Sequence, residues 1–177
     1  MKQIFTLILT ALFIVPTFSQ EHTEEIATHL AEETTTYYFI RHAEKDRSDA
    51  NNTNPNLIQN GILRAAKWSY VLEHVTFDAV YSTDYNRTKQ TAQPTAEKNN
   101  LDISIYNPRT LYSEDFIKNT KGKTVLIVGH SNTTPMFVNT ILGKEKYESI
   151  DDSNNANLYI VTISSSGEIS DTLLVVD

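Results

Sequence analysis

Thr124-Val125-Leu126-Ile127-Val128 restricts the fold more than any other segment. The run is apolar and largely β-branched, with no polar face to offer water. Such a run is expected of a strand covered on both sides, at the centre of a parallel sheet. Parallel neighbours need crossover connections, usually helices. The rest of the chain supplies them. Strand patterns at 36–40, 77–81 and 101–106 alternate with helical patterns at 59–75 and 85–98 and a helical turn at 116–120. A helix at 133–142 closes on Gly143. Strands at 157–164 and 169–176 meet at Ser165-Ser166-Gly167, a hairpin turn. The pattern predicts an α/β domain, a three-layer sandwich with a mainly parallel central sheet and an antiparallel C-terminal edge. In the 59–75 helix, Ile62, Ala65, Ala66, Tyr70 and the 72–75 segment are the expected core contacts.

The N-terminus has a different character. Lys2 precedes an apolar stretch from Ile4 to Val15, and Pro16-Thr17-Phe18-Ser19 follows. That order predicts a secretory signal peptide over residues 1–19, cut between Ser19 and Gln20. The apolar stretch is short for a membrane span. It ends in small and polar residues, which favours cleavage over an uncleaved anchor. The expectation is an exported protein, periplasmic or secreted, with one domain over residues 20–177 and no stable membrane insertion after cleavage. The chain has no Cys, which excludes disulfides, thiol catalysis and thiolate metal sites. Its formal charge of −7 disfavours nucleic acid and anionic lipid as partners. An anion could bind only where cations are gathered locally.

Three predicted strand ends gather them. Open α/β sheets bind ligands beyond the carboxyl ends of their strands. The first end carries Arg41-His42, the second Ser82-Thr83 with Arg87 one turn into the next helix, and the third Gly129-His130-Ser131-Asn132. A guanidinium grips phosphate oxygens in a planar fork, and a neutral imidazole can attack phosphorus. Lys45, Thr83, Ser131 and Asn132 are candidate substrate-binding side chains at the same ends. Lys45 is either a further cation at the pocket rim or an exposed partner of Glu44. His22, His29 and His74 read as exposed or structural. Gly129-His130-Ser131-Asn132-Thr133 mimics a hydrolase nucleophile elbow, but Thr133 stands where a Gly is needed and no His follows His130. Asp151-Asp152-Ser153-Asn154-Asn155 lacks the Gly and Glu of a calcium loop and reads as a solvated loop.

These blocks resemble the histidine phosphatase superfamily, the phosphoglycerate mutase-like proteins. Arg41-His42-Ala43 is similar to its Arg-His-Gly/Ala signature. Leu57 to Gly61 with Arg64-Ala65, Thr83 to Ala92, and Gly129-His130 are similar to its later blocks, in order. The resemblance spans about residues 36 to 142. It implies a phosphoglycerate mutase-like fold and phosphoryl transfer through a phosphohistidine on His42. Arg41, Arg87 and His130 would hold the phosphoryl oxygens, with His130 as a cation. It implies a small phosphorylated substrate, no cofactor and no metal. Glu114 is the natural general acid it suggests, with Asp115 as runner-up. Some small phosphohistidine phosphatases of the superfamily have no such acid, so Glu114 could equally be structural. Two other functions stay open: a phospho-ligand binding domain without turnover, and removal of phosphate from phosphohistidine in a partner protein, which export disfavours. Specificity is expected from the loops at 45–58 and 107–121. Oligomeric state leaves no mark in the sequence.

Overall fold

The computed structural model describes residues 34–110 and 112–177; the expected signal segment and His22 and His29 lie outside them. The strand that led the sequence reading, β4 (Thr124–Gly129), lies inside a six-stranded sheet and is buried from Val125 onward. On one side it pairs in parallel with β1 (Thr35–Arg41) and on the other with β2 (Ala79–Ser82). A short third strand, β3 (Ile103–Ile105), forms one edge in parallel with β2. Beyond β1 the sheet turns antiparallel, through β5 (Asn157–Ile163) to the edge strand β6 (Ile169–Val175). The sheet order is β3-β2-β4-β1-β5-β6. This is the expected mixed sheet with its antiparallel C-terminal edge.

Strand alternation sorts the core into two faces. Tyr37 and Phe39 of β1 join Val125 and Ile127 of β4 in one cluster with Phe116, Phe137, Val138 and Ile141. Those last four come from α3 (Glu114–Thr120) and α4 (Thr133–Leu142). Ile40, Leu126 and Val128 face the other way, into a cluster with Trp68, Leu72, Ala92 and Ala96. That layer is built by α1 (Gln59–Val71), Leu72 just beyond its end, and α2 (Asn86–Lys98). Helices on both faces of one sheet make the three-layer sandwich.

The helix α1 departs from the expectation. It ends at Val71, and its buried face is Gly61, Ala65 and Trp68, continued by Leu72. Ile62 is 52 % exposed and Tyr70 70 % exposed, and Ala66 is exposed as well. Gly61 explains the phase. A Cβ built there would lie 2.2 Å from the Glu44 carbonyl oxygen, so the helix meets the loop after β1 backbone to backbone. Turning Ile62 inward would lift that contact and pull Trp68, which is 1 % exposed, from the core.

Candidate active site

The parallel register brings the three expected strand ends level. Arg41 pairs with Gly129 and Ser82 with Val128. The chain runs straight on from each into the loops that hold His42, Thr83 and His130. The His42 amide donates to the Gly129 carbonyl at 2.9 Å, which locks the first loop to the third. Gly129 leaves no room for a side chain: a Cβ would lie 2.7 Å from Thr134 Oγ1 and 2.9 Å from the Tyr106 hydroxyl.

His42 and His130 meet edge to face, with ring centroids 5.5 Å apart. His42 is 4 % exposed. Its Nδ1 lies 2.8 Å from the Ala43 carbonyl, an acceptor only, so Nδ1 carries the proton and Nε2 keeps a lone pair. Burial, then the positive charges of Arg41 and Arg87, push this imidazole down to about 3. The loop is braced from both sides. Asn155 Nδ2 donates to the His42 carbonyl at 2.7 Å, and the Ala43 amide donates to Thr91 Oγ1 at 2.9 Å.

His130 is held by a hydroxyl relay. Thr83 Oγ1 donates to Thr88 Oγ1 at 3.0 Å, so it accepts from His130 Nε2 at 2.9 Å. The Nδ1 lone pair then faces Arg87 Nη2, 3.5 Å away. Burial, then Arg87, Lys45 and Arg41, push His130 down to about 4. The resemblance implied a cationic His130; without an anion beside it the ring is neutral at pH 7. Tyr85 stacks its ring at a right angle to His130, with centroids 5.0 Å apart, and lies 4.4 Å from the Arg87 guanidinium carbon.

The two arginines hold unused donors. Arg41 is 2 % exposed. Its Nη1 donates to the carbonyls of Asp151 and Asn154, both at 2.8 Å, and Nη2 to Asp152 Oδ1 at 2.6 Å. Arg41 Nε, Arg87 Nε and Arg87 Nη1 are buried with no partner among the described residues. Burial lowers the Arg87 guanidinium from its ordinary value. Buried donors without acceptors are rare in folded proteins, and here they lie beside two neutral imidazoles. A tetrahedral oxyanion would satisfy them.

The remaining candidates sort as follows. Lys45 does not pair with Glu44, whose Oε1 accepts from Arg64 Nε at 2.7 Å. Lys45 is half-buried and has no ion pair among the described residues. Burial and the charges of Arg87, Arg47 and Arg41 pull its ammonium down. Thr83 is fully buried, so it supports His130 from behind instead of touching a ligand. Ser131 is half-buried and gives its carbonyl to the Ile150 amide at 2.8 Å. Asn132 is exposed and lines an open cleft of about 750 Å³ with Arg87 and His130. Glu114 does not join this cleft. It sits exposed on the first turn of α3, where its charge suits the helix N-terminus, and Asp115 beside it is exposed too. His74 is 94 % exposed, as expected.

The sequence reading missed Asp152, Arg47, Asn155 and Tyr85. Asp152 is 66 % exposed, so the solvated-loop reading was fair, yet its carboxylate bridges Arg41 and Arg47, the latter at 2.7 Å. These two cations hold it down to about 2, the Arg47 hydrogen bond being the stronger cause.

The chain matches the model of the histidine phosphatase superfamily (branch 1) over residues 37–107. No curated protein matches it. Among solved structures, the protein histidine phosphatase SixA complexed with tungstate is similar at 15 % identity and a TM-score of 0.62, over 79 % of this chain and 96 % of that one. Phosphoserine phosphatase from Entamoeba histolytica, in complex with 3-phosphoglyceric acid, is similar at 19 % identity and a TM-score of 0.59, over 78 % and 95 %. Phosphoglycerate mutase from Bacillus anthracis is similar at 14 % identity and a TM-score of 0.60, over 82 % and 95 %. At such identities the likeness is one of fold. The chain thus has a partial sequence match to the superfamily, over residues 37–107, and a phosphoglycerate mutase-like fold.

Proposed function

We propose that this chain is an exported phosphatase that hydrolyses phosphomonoesters through a phosphohistidine on His42, its domain covering residues 20–177 after loss of residues 1–19. One observation carries the reading. His42 commits its Nδ1 proton to the Ala43 carbonyl, which leaves a neutral ring with Nε2 available, while Arg41 and Arg87 both keep buried donors without a partner among the described residues. Nε2 forms a bond to phosphorus as the ester P–O bond breaks. The leaving oxygen takes a proton from solvent in the cleft. Water then adds to phosphorus, the N–P bond breaks, and inorganic phosphate leaves with the neutral imidazole restored. Arg41 and Arg87 neutralise the charge spread over the phosphoryl oxygens. A bound phosphate would raise the His130 pKa and make that ring a third donor.

The test is turnover of 4-nitrophenyl phosphate by the mature protein and by His42→Ala. The variant is expected to lose at least ~10³-fold in kcat. Undiminished turnover would remove His42 from the chemistry. A second reading, a phosphate-binding module without turnover, draws on the cleft lining, which holds no carboxylate among the described residues. Vanadate binding with no hydrolysis at any pH from 4 to 8 would favour it. The export arm stands on the sequence of residues 1–19 and is tested by N-terminal sequencing of protein recovered from outside the cytosol.

A further inference from the structure

The sheet ends differently on its two sides. β3 is three residues long, with Pro108 soon after it. β6 is seven residues long, Ile-Ser-Asp-Thr-Leu-Leu-Val, and its register with β5 runs unbroken from Ile169 to Val175. Edge strands are normally blunted by a lysine, a proline or a bulge, and β6 has none of these. At its two ends the Ser164 amide donates to the Glu168 carbonyl at 2.9 Å and the Val176 amide to the Ala156 carbonyl at 2.8 Å. The even-numbered residues of β6 therefore exchange hydrogen bonds with β5. Antiparallel pairs alternate, so the backbone groups of Ile169, Asp171, Leu173 and Val175 point away from the sheet. They have no partner among the described residues.

The side chains of this strand are as open as its backbone. Ile169, Leu173, Leu174 and Val175 are all exposed. The one ionisable side chain, Asp171, is held by Lys146 at 2.7 Å and by the Tyr147 hydroxyl. Two copies of a chain with a net charge of −7 repel each other, and β6 is a strip where the acid is already compensated.

We infer that β6 is a self-association edge, which pairs antiparallel with β6 of a second copy about a two-fold axis at Thr172 and joins two sheets into one. About that axis Ile169 meets Val175 of the second copy and Asp171 meets Leu173. The four residues with free backbone groups then match one another, and each pair exchanges two hydrogen bonds. An axis at Asp171 or Leu173 leaves one end residue of the strand unmatched. The side chains agree with the same centre. Leu173 pairs with Tyr159 and Asp171 with Val161, so the odd-numbered residues share the face of α3 and α4. On that face Ile169 packs on Val175 across the interface, and the two Leu173 side chains lie diagonally over the axis. On the other face Thr172 meets its own copy, a pairing that sheets favour. One strand pair lies below the ~800 Å² per partner of a standard interface, so association is reversible, with a Kd on the order of 10–100 µM.

Sedimentation equilibrium of the purified protein from about 1 to 500 µM is expected to show a monomer–dimer equilibrium. Leu173→Glu sets a carboxylate opposite Asp171 of the second copy and should weaken the dimer at least ~10-fold, whereas Leu173→Lys sets a cation there and should keep it. No residue of β6 lines the cleft at Arg87 and His130, so both variants should turn over 4-nitrophenyl phosphate like the wild type. The chain has no cysteine, so a single introduced thiol reports the register. Residues opposite each other at a non-hydrogen-bonded position stand ~4.5 Å apart at Cα, within disulfide reach, so Thr172→Cys should oxidise to a covalent dimer. Ser170→Cys lies four residues, ~14 Å, out of step with its copy and should cross-link at least ~10-fold more slowly. These rates decide the matter if either Leu173 variant lowers the melting midpoint. A monomer at every concentration, equal loss in both Leu173 variants, or equal cross-linking at the two cysteine positions would overturn the inference. Slow hydrogen exchange at the amides of Ile169, Asp171, Leu173 and Val175 in the dilute monomer would overturn it too, because another part of the chain would then cover the edge.

Discussion

Thr83 Oγ1 accepts a hydrogen bond from His130 Nε2 at 2.9 Å because its own proton is already given to Thr88. A hydroxyl in that position sets the tautomer of the ring in front of it. The proton stays on Nε2, and the Nδ1 lone pair stays on the side of Arg87. Thr83→Val keeps the shape and removes the acceptor. It is expected to lower kcat/KM by ~10- to 100-fold, the worth of one hydrogen bond to a group that becomes charged. Thr83→Ser should restore most of the loss. A pH–rate profile separates this from simple misfolding, since the valine variant should shift the limb set by His130.

The two imidazoles also make the fold acid-sensitive. In the folded chain they titrate at about 3 and about 4, against 6.5 for a free imidazole. Above pH 6.5 both are neutral in either state and stability is at its full value. As pH falls below 6.5 the unfolded chain binds protons that the folded chain refuses, so stability drops down to about pH 3. Each ring is expected to cost ~1–2 kcal/mol between pH 6.5 and 5. Urea unfolding at the two pH values measures this, and His130→Asn should halve the slope. An unfolding free energy that is flat over this window would contradict the burial of both rings.

Asp152 covers the Arg41 guanidinium from outside. Asp152→Asn removes the one carboxylate that the structure pairs with both Arg41 and Arg47. The local field becomes more positive, so vanadate inhibition should tighten by ~3- to 10-fold at low salt and less at high salt. Weaker vanadate binding would mean that Asp152 orients Arg41 more than it competes with the ligand.

Gly61→Ala tests the seat of α1. Its new Cβ would meet the Glu44 backbone, which cannot rotate away as a side chain could. The helix must retreat, at a cost of ~1–3 kcal/mol. Glu44 follows His42 by two residues, so activity should fall together with the midpoint of thermal unfolding. An unchanged midpoint would mean that the loop yields freely.

Much of this arrangement was legible in the sequence. The strand at 124–128 announced a two-sided sheet because burial on both faces leaves no alternation to mistake. His42 and His130 were legible because each directly follows an apolar strand, and Arg87 because it sits in the Thr83–Ala92 block that resembles the family's. The face of α1 was not, because Ile62 and Tyr70 outweigh Gly61 in hydrophobicity while the close approach of two backbones decides the phase. Asp152 was not legible either. It lies more than a hundred residues from Arg41, and only the antiparallel return through β5 brings it near. Glu114 shows the opposite failure: a carboxylate in the right loop by order, set on the outward side of α3 by the burial of Phe116.

Arg41 is moored by carbonyls at positions 151 and 154, downstream of every recognised sequence block. The segment behind α4 therefore does more than finish the sheet: it aims the guanidinium that the proposed reaction uses to hold phosphate. A chain shortened at Gly143 would keep all the signature letters and lose their alignment. Sequence drift in this unremarkable tail is consequently a route by which relatives could retain the fold and fall silent.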